Sequence, residues 1–132
     1  MKKYAIIDEA QFPIIKVTFT GESADTENFP LYLSEVKQTY DHQKNLAIIF
    51  DASNAVLPAL SFQKMQAKWL KDNTQLMKDF CAGTAYIIPN IIIRNVLKAI
   101  FSFQNQPVPY IICEDASTAA EWINKQLADL KQ

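Results

Sequence analysis

The sequence predicts an α/β fold with about five strands in a mixed, mostly parallel sheet, four helices, and an antiparallel N-terminal strand at one edge. The run Leu46–Phe50 is continuously apolar, which is the pattern of a strand buried on both faces. Strand and helix patterns alternate after residue 20, which is typical of parallel strands joined by right-handed crossovers. A hairpin-like pair of strand patterns precedes them and supplies the antiparallel edge.

The composition predicts a single folded, soluble domain. The chain has 132 residues, of which 49% are hydrophobic and 20% charged, so we expect a single domain over residues 1–132. A formal net charge of −1 offers no basic excess for nucleic acid, and nucleic-acid binding is not expected. No apolar run reaches the ~18–20 residues of a membrane span, and no signal-peptide pattern opens the chain. We therefore expect a cytoplasmic protein.

Cysteine and histidine are too few for a metal site. Cys81 and Cys113 have neither metal-ligand nor redox-motif spacing, and His42 is the only histidine. We expect no metal, no cofactor, and two free thiols in the core of a protein kept reduced.

Two strand patterns precede the central run. Residues 4–8 and 14–20 are separated by a short link, so they should pair as an antiparallel hairpin. Gly21 follows them and is one of only two glycines, which indicates a backbone position that needs glycine.

The first two expected helices lie on either side of the central run. The first begins at residue 25 or 26, since Pro30 is tolerated only in or just after the first turn. Ser61 is the expected cap of a long helix over about 61–80, and Gly83 is expected to end it.

The remaining pattern predicts two further strands and two further helices. Strands are expected over residues 84–88 and 108–113. Asn90 is the expected cap of a helix over 91–103, and Asp115 that of the last helix.

The helix over residues 91–103 is apolar around most of its circumference. Its few polar residues are Arg94, Asn95, Lys98 and Ser102. A helix lying on a sheet needs an apolar stripe of only roughly 100°, so either a neighbouring helix or another molecule must cover the excess. Both alternatives stay open. The candidate interface residues are Ile92, Val96, Ile100 and Phe103.

Short motifs throughout the chain resemble a known family. They are Phe-Thr-Gly-Glu at 19–22, Phe-Asp-Ala at 50–52, Ala-Lys-Trp-Leu at 67–70, Arg94 with Leu97, Ala99 and Ile100, Pro-Val-Pro at 107–109, and Ala-Glu-Trp at 120–122. Together they resemble the STAS family, in its branch of small, single-domain bacterial proteins similar to SpoIIAA, the anti-sigma factor antagonists. The motifs are packing and turn residues, so they bear on the fold more than on function. The resemblance implies a STAS fold and a regulatory role through protein partners.

The resemblance also implies a candidate phosphosite. In regulatory members of the family, an Asp followed by a Ser-rich turn leads into a helix, and a partner kinase phosphorylates a Ser there. Asp51 and Ser53 match the first part of that pattern, which makes Ser53 the candidate. The Ser-Gly-Leu that should follow is replaced by Asn-Ala-Val at 54–56, and the expected helix begins near Ser61.

Polar side chains gather at one predicted edge of the sheet, where the parallel strands end. The candidates for a ligand edge are Asp51, Asn54, Asn90, Arg94 and Asp115. They could hold a small polar ligand, because open α/β sheets bind ligands at the carboxyl ends of their strands. They could equally serve as helix caps and loop hydrogen bonds, or as an ion pair of Arg94 with an acid. The sequence leaves these alternatives open.

We expect a binding module without chemistry of its own and assign no catalytic residue. Its simplest form is a homodimer through the helix over 91–103, because an isologous contact needs only one patch; a different protein partner is the other form. The alternative is a carrier of a small apolar molecule or lipid, similar to Sec14/STAS pockets. Its cavity would be lined by Phe62, Trp69, Ile100 and Phe103.

A third alternative is a hydrolase that uses carboxylates at the strand ends, Asp51 and Asp115. Its support is thin, since His42 is predicted at the opposite edge of the sheet from Asp51. Two glycines cannot build a phosphate-binding loop.

Overall fold

A mixed five-stranded sheet organises the computed structural model, which describes residues 1–130. The strands are β1 (Ala5–Asp8), β2 (Ile14–Phe19), β3 (Leu46–Asp51), β4 (Cys81–Ile87) and β5 (Tyr110–Cys113). They lie side by side in chain order; β1 is antiparallel to β2, and every later neighbour is parallel. The predicted fold class and the antiparallel N-terminal edge are confirmed. The expected single domain over 1–132 includes two residues outside the described part and stays a prediction.

Within residues 1–130 the chain forms five α-helices, where the sequence predicts four. They are α1 (Asn28–Gln38), α2 (Leu60–Asp72), α3 (Thr74–Phe80), α4 (Ile91–Phe103) and α5 (Ala116–Leu130), and a short 3-10 helix, Thr39–His42, follows α1. None of them is both long and apolar enough to cross a membrane.

The extra helix arises because the predicted helix over 61–80 is interrupted at Asn73. The backbone there leaves the helical region, with φ −112° and ψ 16°. The Asn73 side chain donates to the carbonyl oxygen of Trp69 at 2.9 Å, and Thr74 Oγ1 donates to that of Leu70 at 2.7 Å. Side chains that bond to the preceding turn compete with the helical ladder. The prediction of one continuous helix was therefore wrong.

The expected cap of that helix was also wrong. α2 begins at Leu60, one residue before Ser61, with Ala59 at the capping position and no side-chain cap. Ser61 lies inside the first turn, so its backbone is already helical. The turn is held instead by Gln63, whose Nε2 donates to the carbonyl oxygen of Pro58 at 3.0 Å.

The start of α1 is set by Asp25. Its Oδ1 accepts from the backbone N–H of Glu27 at 2.8 Å and of Asn28 at 2.7 Å, and these two hydrogen bonds lower the pKa of the Asp25 carboxyl. The regular helix begins at Asn28, slightly later than predicted, and Pro30 lies in its first turn. Proline is tolerated there because the first N–H groups of a helix have no intrahelical partner.

The sheet is covered on both faces, but unequally. α5 packs against β3, β4 and β5 on one face, while α1, α2 and α4 lie over the other. Every residue of β3 from Leu46 to Phe50, and every residue of β4, is buried. This confirms the prediction that Leu46–Phe50 is a strand buried on both faces of the sheet. Cys81 and Cys113 are free and buried.

Gly83 lies inside β4 and does not end the preceding helix, so that prediction was wrong. The strand bulges there: Leu46 pairs with Cys81 and Ile48 with Thr84, so two steps along β3 match three along β4. A Cβ on Gly83 would meet Trp122 Cη2 of α5 at 2.9 Å and the carbonyl oxygen of Pro109 at 3.0 Å. Glycine is therefore needed for close approach of α5.

Gly21 is needed for a different reason. Its φ of +93° lies in a region that L side chains rarely adopt. The position that the sequence marked as needing glycine is confirmed.

We expect Gly83→Ala to lower the free energy of unfolding by about 1–3 kcal/mol, because the added methyl group overpacks a filled site. At a strand position with room for a methyl group, the same change would raise the free energy of unfolding by roughly 0.5–1 kcal/mol. The sign of the change therefore tells whether the site of Gly83 is filled or open. Urea unfolding measures it. In a Trp122→Leu background the loss should shrink, and an equal loss in both backgrounds would contradict the close approach.

Candidate functional site

The loop after β3 is held by Asp51. Its Oδ1 accepts from the backbone N–H of Ser53 at 3.0 Å and from Ser53 Oγ at 2.7 Å. Ser53 itself is exposed, and α2 begins only at Leu60. The candidate phosphosite is thus in a side-chain-stabilised turn and not at a helix N-terminus, where a phosphate would be favoured.

Asn90 and Arg94 secure the start of α4. Asn90 Oδ1 accepts from the backbone N–H of Ile92 at 2.8 Å, so Asn90 is the helix cap that the sequence predicts. Arg94 Nε donates to the carbonyl oxygen of Ile88 at 2.6 Å, and its Nη2 donates to Glu114 Oε1 at 2.8 Å. Arg94 therefore joins the end of β4 to the loop after β5. Glu114 is 73% exposed, so the ion pair contributes only about 0–1 kcal/mol.

Asp115 caps α5, as predicted. Its Oδ1 accepts from the backbone N–H of Thr118 at 2.7 Å. This hydrogen bond, with others from the Thr118 side chain and the Ser117 backbone, lowers the pKa of the Asp115 carboxyl below its ordinary value. The charged form of Asp115 is therefore favoured in the folded state.

The polar edge thus consists mainly of groups with local partners. Asp51, Asn90, Arg94 and Asp115 each bond to a neighbouring loop or helix end, and Asn54 is exposed. These contacts favour the capping alternative over a polar ligand site. Among residues 1–130, no group of three or more His, Cys, Asp or Glu side chains is placed to hold a metal ion.

A cavity of about 90 Å³ lies between the sheet and the layer formed by α1, α2 and α4, which we call the three-helix layer. Its floor is a row of stacked rings across three neighbouring strands. The ring centroids of Phe19 and Phe50 are 6.3 Å apart at 17°, and those of Phe50 and Tyr86 are 5.0 Å apart at 9°. Tyr32 of α1 and Phe62 of α2 close the sides. The cavity is mainly apolar and is partly open to the surface.

Only half of the residues expected to line such a cavity do so. Phe62 and Ile100 are among its walls, whereas Trp69 and Phe103 are not. Trp69 packs against the core from another side of α2, and Phe103 reaches solvent at the end of α4. The expected lining was wrong for these two because helical spacing does not tell which side of an apolar helix faces a void.

The aromatic floor was not predicted from the sequence. A signal for it exists: Phe19, Phe50 and Tyr86 each stand at or next to the last residue of a strand. Since the strands lie in chain order, these rings form one row. The helical spacing of Tyr32 alone does not predict that its side chain lines the cavity.

The four candidate interface residues of α4 divide into two pairs. Val96 and Ile100 are buried within the chain, and Ile92 and Phe103 are exposed. A neighbouring helix, α2, packs against α4 and covers part of the apolar excess. The remainder is open to solvent.

No family model matches the sequence, and no curated protein matches it. Among solved structures, the crystal structure of an anti-sigma factor antagonist from Mycobacterium paratuberculosis is similar, with a TM-score of 0.58 over 91% of this chain and 92% of that chain. The chain has a STAS fold. The sequence identity is 12%, so the similarity shows the STAS fold alone. It confirms the architecture that the short motifs implied.

We expect Asp115→Asn to make stability less sensitive to acid. Because the pKa of Asp115 is lowered by folding, its contribution is present above the ordinary value of 3.8 and is lost as the pH falls through the lower, folded value. Asparagine keeps an acceptor for the N–H of Thr118 but cannot be protonated. Urea unfolding at about pH 6 and about pH 3 should therefore show a smaller loss in the variant than in the wild type.

The control for this experiment is Asp115→Ala, which removes the cap altogether. It should cost about 1 kcal/mol already near neutral pH. A variant Asp115→Asn that loses as much stability in acid as the wild type would contradict the role assigned to the carboxylate.

Proposed function

We propose that the chain is a non-catalytic regulatory module that works by binding protein, and that its simplest partner is a second copy bound through α4. The observation that carries the proposal is the exposed apolar flank of this helix. Ile92 is 59% exposed and Phe103 is 47% exposed, although both are large and apolar. Exposed apolar groups of this size on one element are typical of an interaction surface.

The flank has the geometry of a helix-pairing seam. With about 100° between successive residues, Ile92, Ala99 and Phe103 fall within about 40° of one another. Their spacing of seven and four residues is that of a coiled-coil seam. Ala99 lies between them, close to the middle of the seam, and a small residue there lets two helices approach closely. In an antiparallel pair of α4 helices, a two-fold axis midway between Ile92 and Phe103, at the level of residues 97–98, would pair Ile92 of each copy with Phe103 of the other.

The fold supports a regulatory role. The similar solved structure is named as an antagonist of an anti-sigma factor. We propose a role of the same kind for this chain, in which binding to a protein partner is the output. The proposal includes a cytoplasmic location, where the free thiols of Cys81 and Cys113 stay reduced.

The contacts of the carboxylates argue against the hydrolase alternative. Asp51 bonds to Ser53, and Asp115 caps α5. The only histidine, His42, has its Nε2 3.2 Å from Glu9 Oε2 beside the β1–β2 link. These groups form no acid–base pair with Asp51, and the proposal has no catalytic residue.

A small-molecule carrier is the second candidate function, and the aromatic cavity is the observation that favours it. A partly enclosed apolar cavity with a few polar groups is the usual form of a ligand site. The two candidates use different parts of α4: the cavity uses its inner side, and self-association uses the flank with Ile92 and Phe103.

Ser53 stays a candidate phosphosite within the regulatory proposal. A phosphate would bring about two negative charges next to the Asp51 carboxylate and would remove the hydroxyl that donates to it. Modification would therefore break the present turn and rearrange the loop over residues 52–59.

We expect the wild-type protein to sediment as a dimer and Ile92→Glu to sediment as a monomer, because a carboxylate in the seam would be buried without a partner. Ile6→Glu is the matched control, since Ile6 is 54% exposed but lies on β1; this variant should remain dimeric. Sedimentation velocity over a concentration series makes the comparison. A monomeric wild type at every concentration would overturn self-association.

We expect Ser53→Asp to destabilise the protein more than Ser53→Ala. Both variants lose the hydrogen bond from Ser53 Oγ to Asp51, but only the first adds like charge, an effect of roughly 0.5 kcal/mol at an exposed site. Urea unfolding at low and high salt gives the difference. It should disappear in an Asp51→Asn background, and a difference that persists there would refute the charge argument.

A further inference from the structure

We propose that the cavity binds a small, neutral molecule with a single aromatic ring and one hydrogen-bond acceptor, held through the hydroxyl of Tyr32. The inference rests on the second candidate function above and specifies the ligand class for it. Self-association through α4 is independent of it.

The size of the cavity limits the occupant to about one ring. Its volume of about 90 Å³ is smaller than the roughly 150 Å³ of an engineered apolar cavity that binds benzene, so even a single ring must extend partly into the open side of the cavity. A fused-ring system or a long acyl chain would need the wall to move. The loop between β3 and α2 forms part of that wall through Ala55, Val56 and Pro58. A short substituent can extend towards this partly open side.

The walls favour an aromatic occupant. The stacked row of Phe19, Phe50 and Tyr86 presents ring faces from the sheet. Phe29 and Tyr32 meet at 67°, with their centroids 5.5 Å apart, and both belong to the opposite wall. A flat ring between these groups can stack on the floor and receive ring edges from the side, the two arrangements that aromatic pairs prefer.

The cavity walls that the structure describes carry no charged side chains, which favours a neutral ligand. Among the described residues that line the cavity, none is Asp, Glu, Lys, Arg or His. The polar lining comes from Gln63, Gln66 and three tyrosines. A charged ligand would be taken out of water without a counter-ion, which is costly.

The hydroxyl of Tyr32 supplies the polar contact. Tyr32 is only 5% exposed, and burial raises the pKa of its hydroxyl well above the ordinary value. Within residues 1–130 this hydroxyl makes no hydrogen bond to another side chain or to the backbone, and Tyr32 lines the cavity. The neighbouring Tyr86 hydroxyl is different, since it accepts from Gln106 Nε2 at 2.7 Å. The O–H donor of Tyr32 is therefore free at the wall of an apolar cavity, where a ligand acceptor would satisfy it.

The test uses the purified full chain and three single-ring probes: phenol, benzene and benzoate. Backbone amide NMR shifts give the affinity and the location. We expect phenol to shift residues around the cavity and to bind about threefold to tenfold more tightly than benzene, the range for one neutral hydrogen bond. Benzoate, which is charged, should not bind there.

Tyr32→Phe should reduce phenol affinity to that of benzene and leave benzene affinity unchanged. Tyr40→Phe is the matched control: Tyr40 is a tyrosine of the same core, only 3% exposed, but it does not line the cavity. This variant should bind phenol as the wild type does. Equal affinity for phenol in Tyr32→Phe and wild type, shifts away from the cavity, or no binding of phenol would each overturn the inference.

Native mass spectrometry of the protein purified from cells separates the inference from the carrier function itself. A retained neutral molecule with one ring supports both. A retained molecule of another class overturns the single-ring inference and leaves the carrier function standing. Failure of phenol together with no retained mass overturns both, while the sedimentation of Ile92→Glu still tests self-association.

Discussion

The central pair of strands, β3 and β4, imposes the main constraint on this fold, because both strands are buried on both faces. Their side chains alternate between the two layers, and the layers receive side chains of different size. Towards α5 the pair presents mainly small residues, such as Ala47, Ala82 and Ala85. Towards the three-helix layer it presents Phe50 and Tyr86. A shift of one residue in register would exchange the faces, so the sizes also fix the pairing.

This difference in size explains why the two layers lie differently on the sheet. Small residues let α5 come close, and at Gly83 the contact is so tight that no side chain fits. On the other face the rings of Phe19, Phe50 and Tyr86 keep the helices at a distance. α2 then packs mainly on α4. The cavity is the space that remains between this layer and the ring row.

The fold could be predicted from local patterns to a large extent. The apolar run at Leu46–Phe50 located the central strand, and Asn90 and Asp115 were correctly predicted as caps. The errors have local causes too. Asn73 interrupts a helix through a bond to its own preceding turn, and Gly83 serves a contact with α5 that is distant in sequence.

The site was harder to predict because it depends on how layers meet. For α4 the sequence left open whether a helix or another molecule covers its apolar excess. In the structure, Val96 and Ile100 are covered within the chain, whereas Ile92 and Phe103 are not. The cavity needs side chains from three strands, three helices and the loop after β3, and no single pattern along the chain contains that information.

The two tryptophans of the chain lie on opposite faces of the sheet. Trp122 packs in the layer of α5, and Trp69 packs in the layer that contains the cavity. Each indole is therefore an intrinsic fluorescent reporter for one layer. A loosening of the three-helix layer alone would change the emission of Trp69 and leave that of Trp122 as it is. Single-tryptophan proteins thus make it possible to ask whether the two halves of this core melt as one cooperative unit or in separate steps.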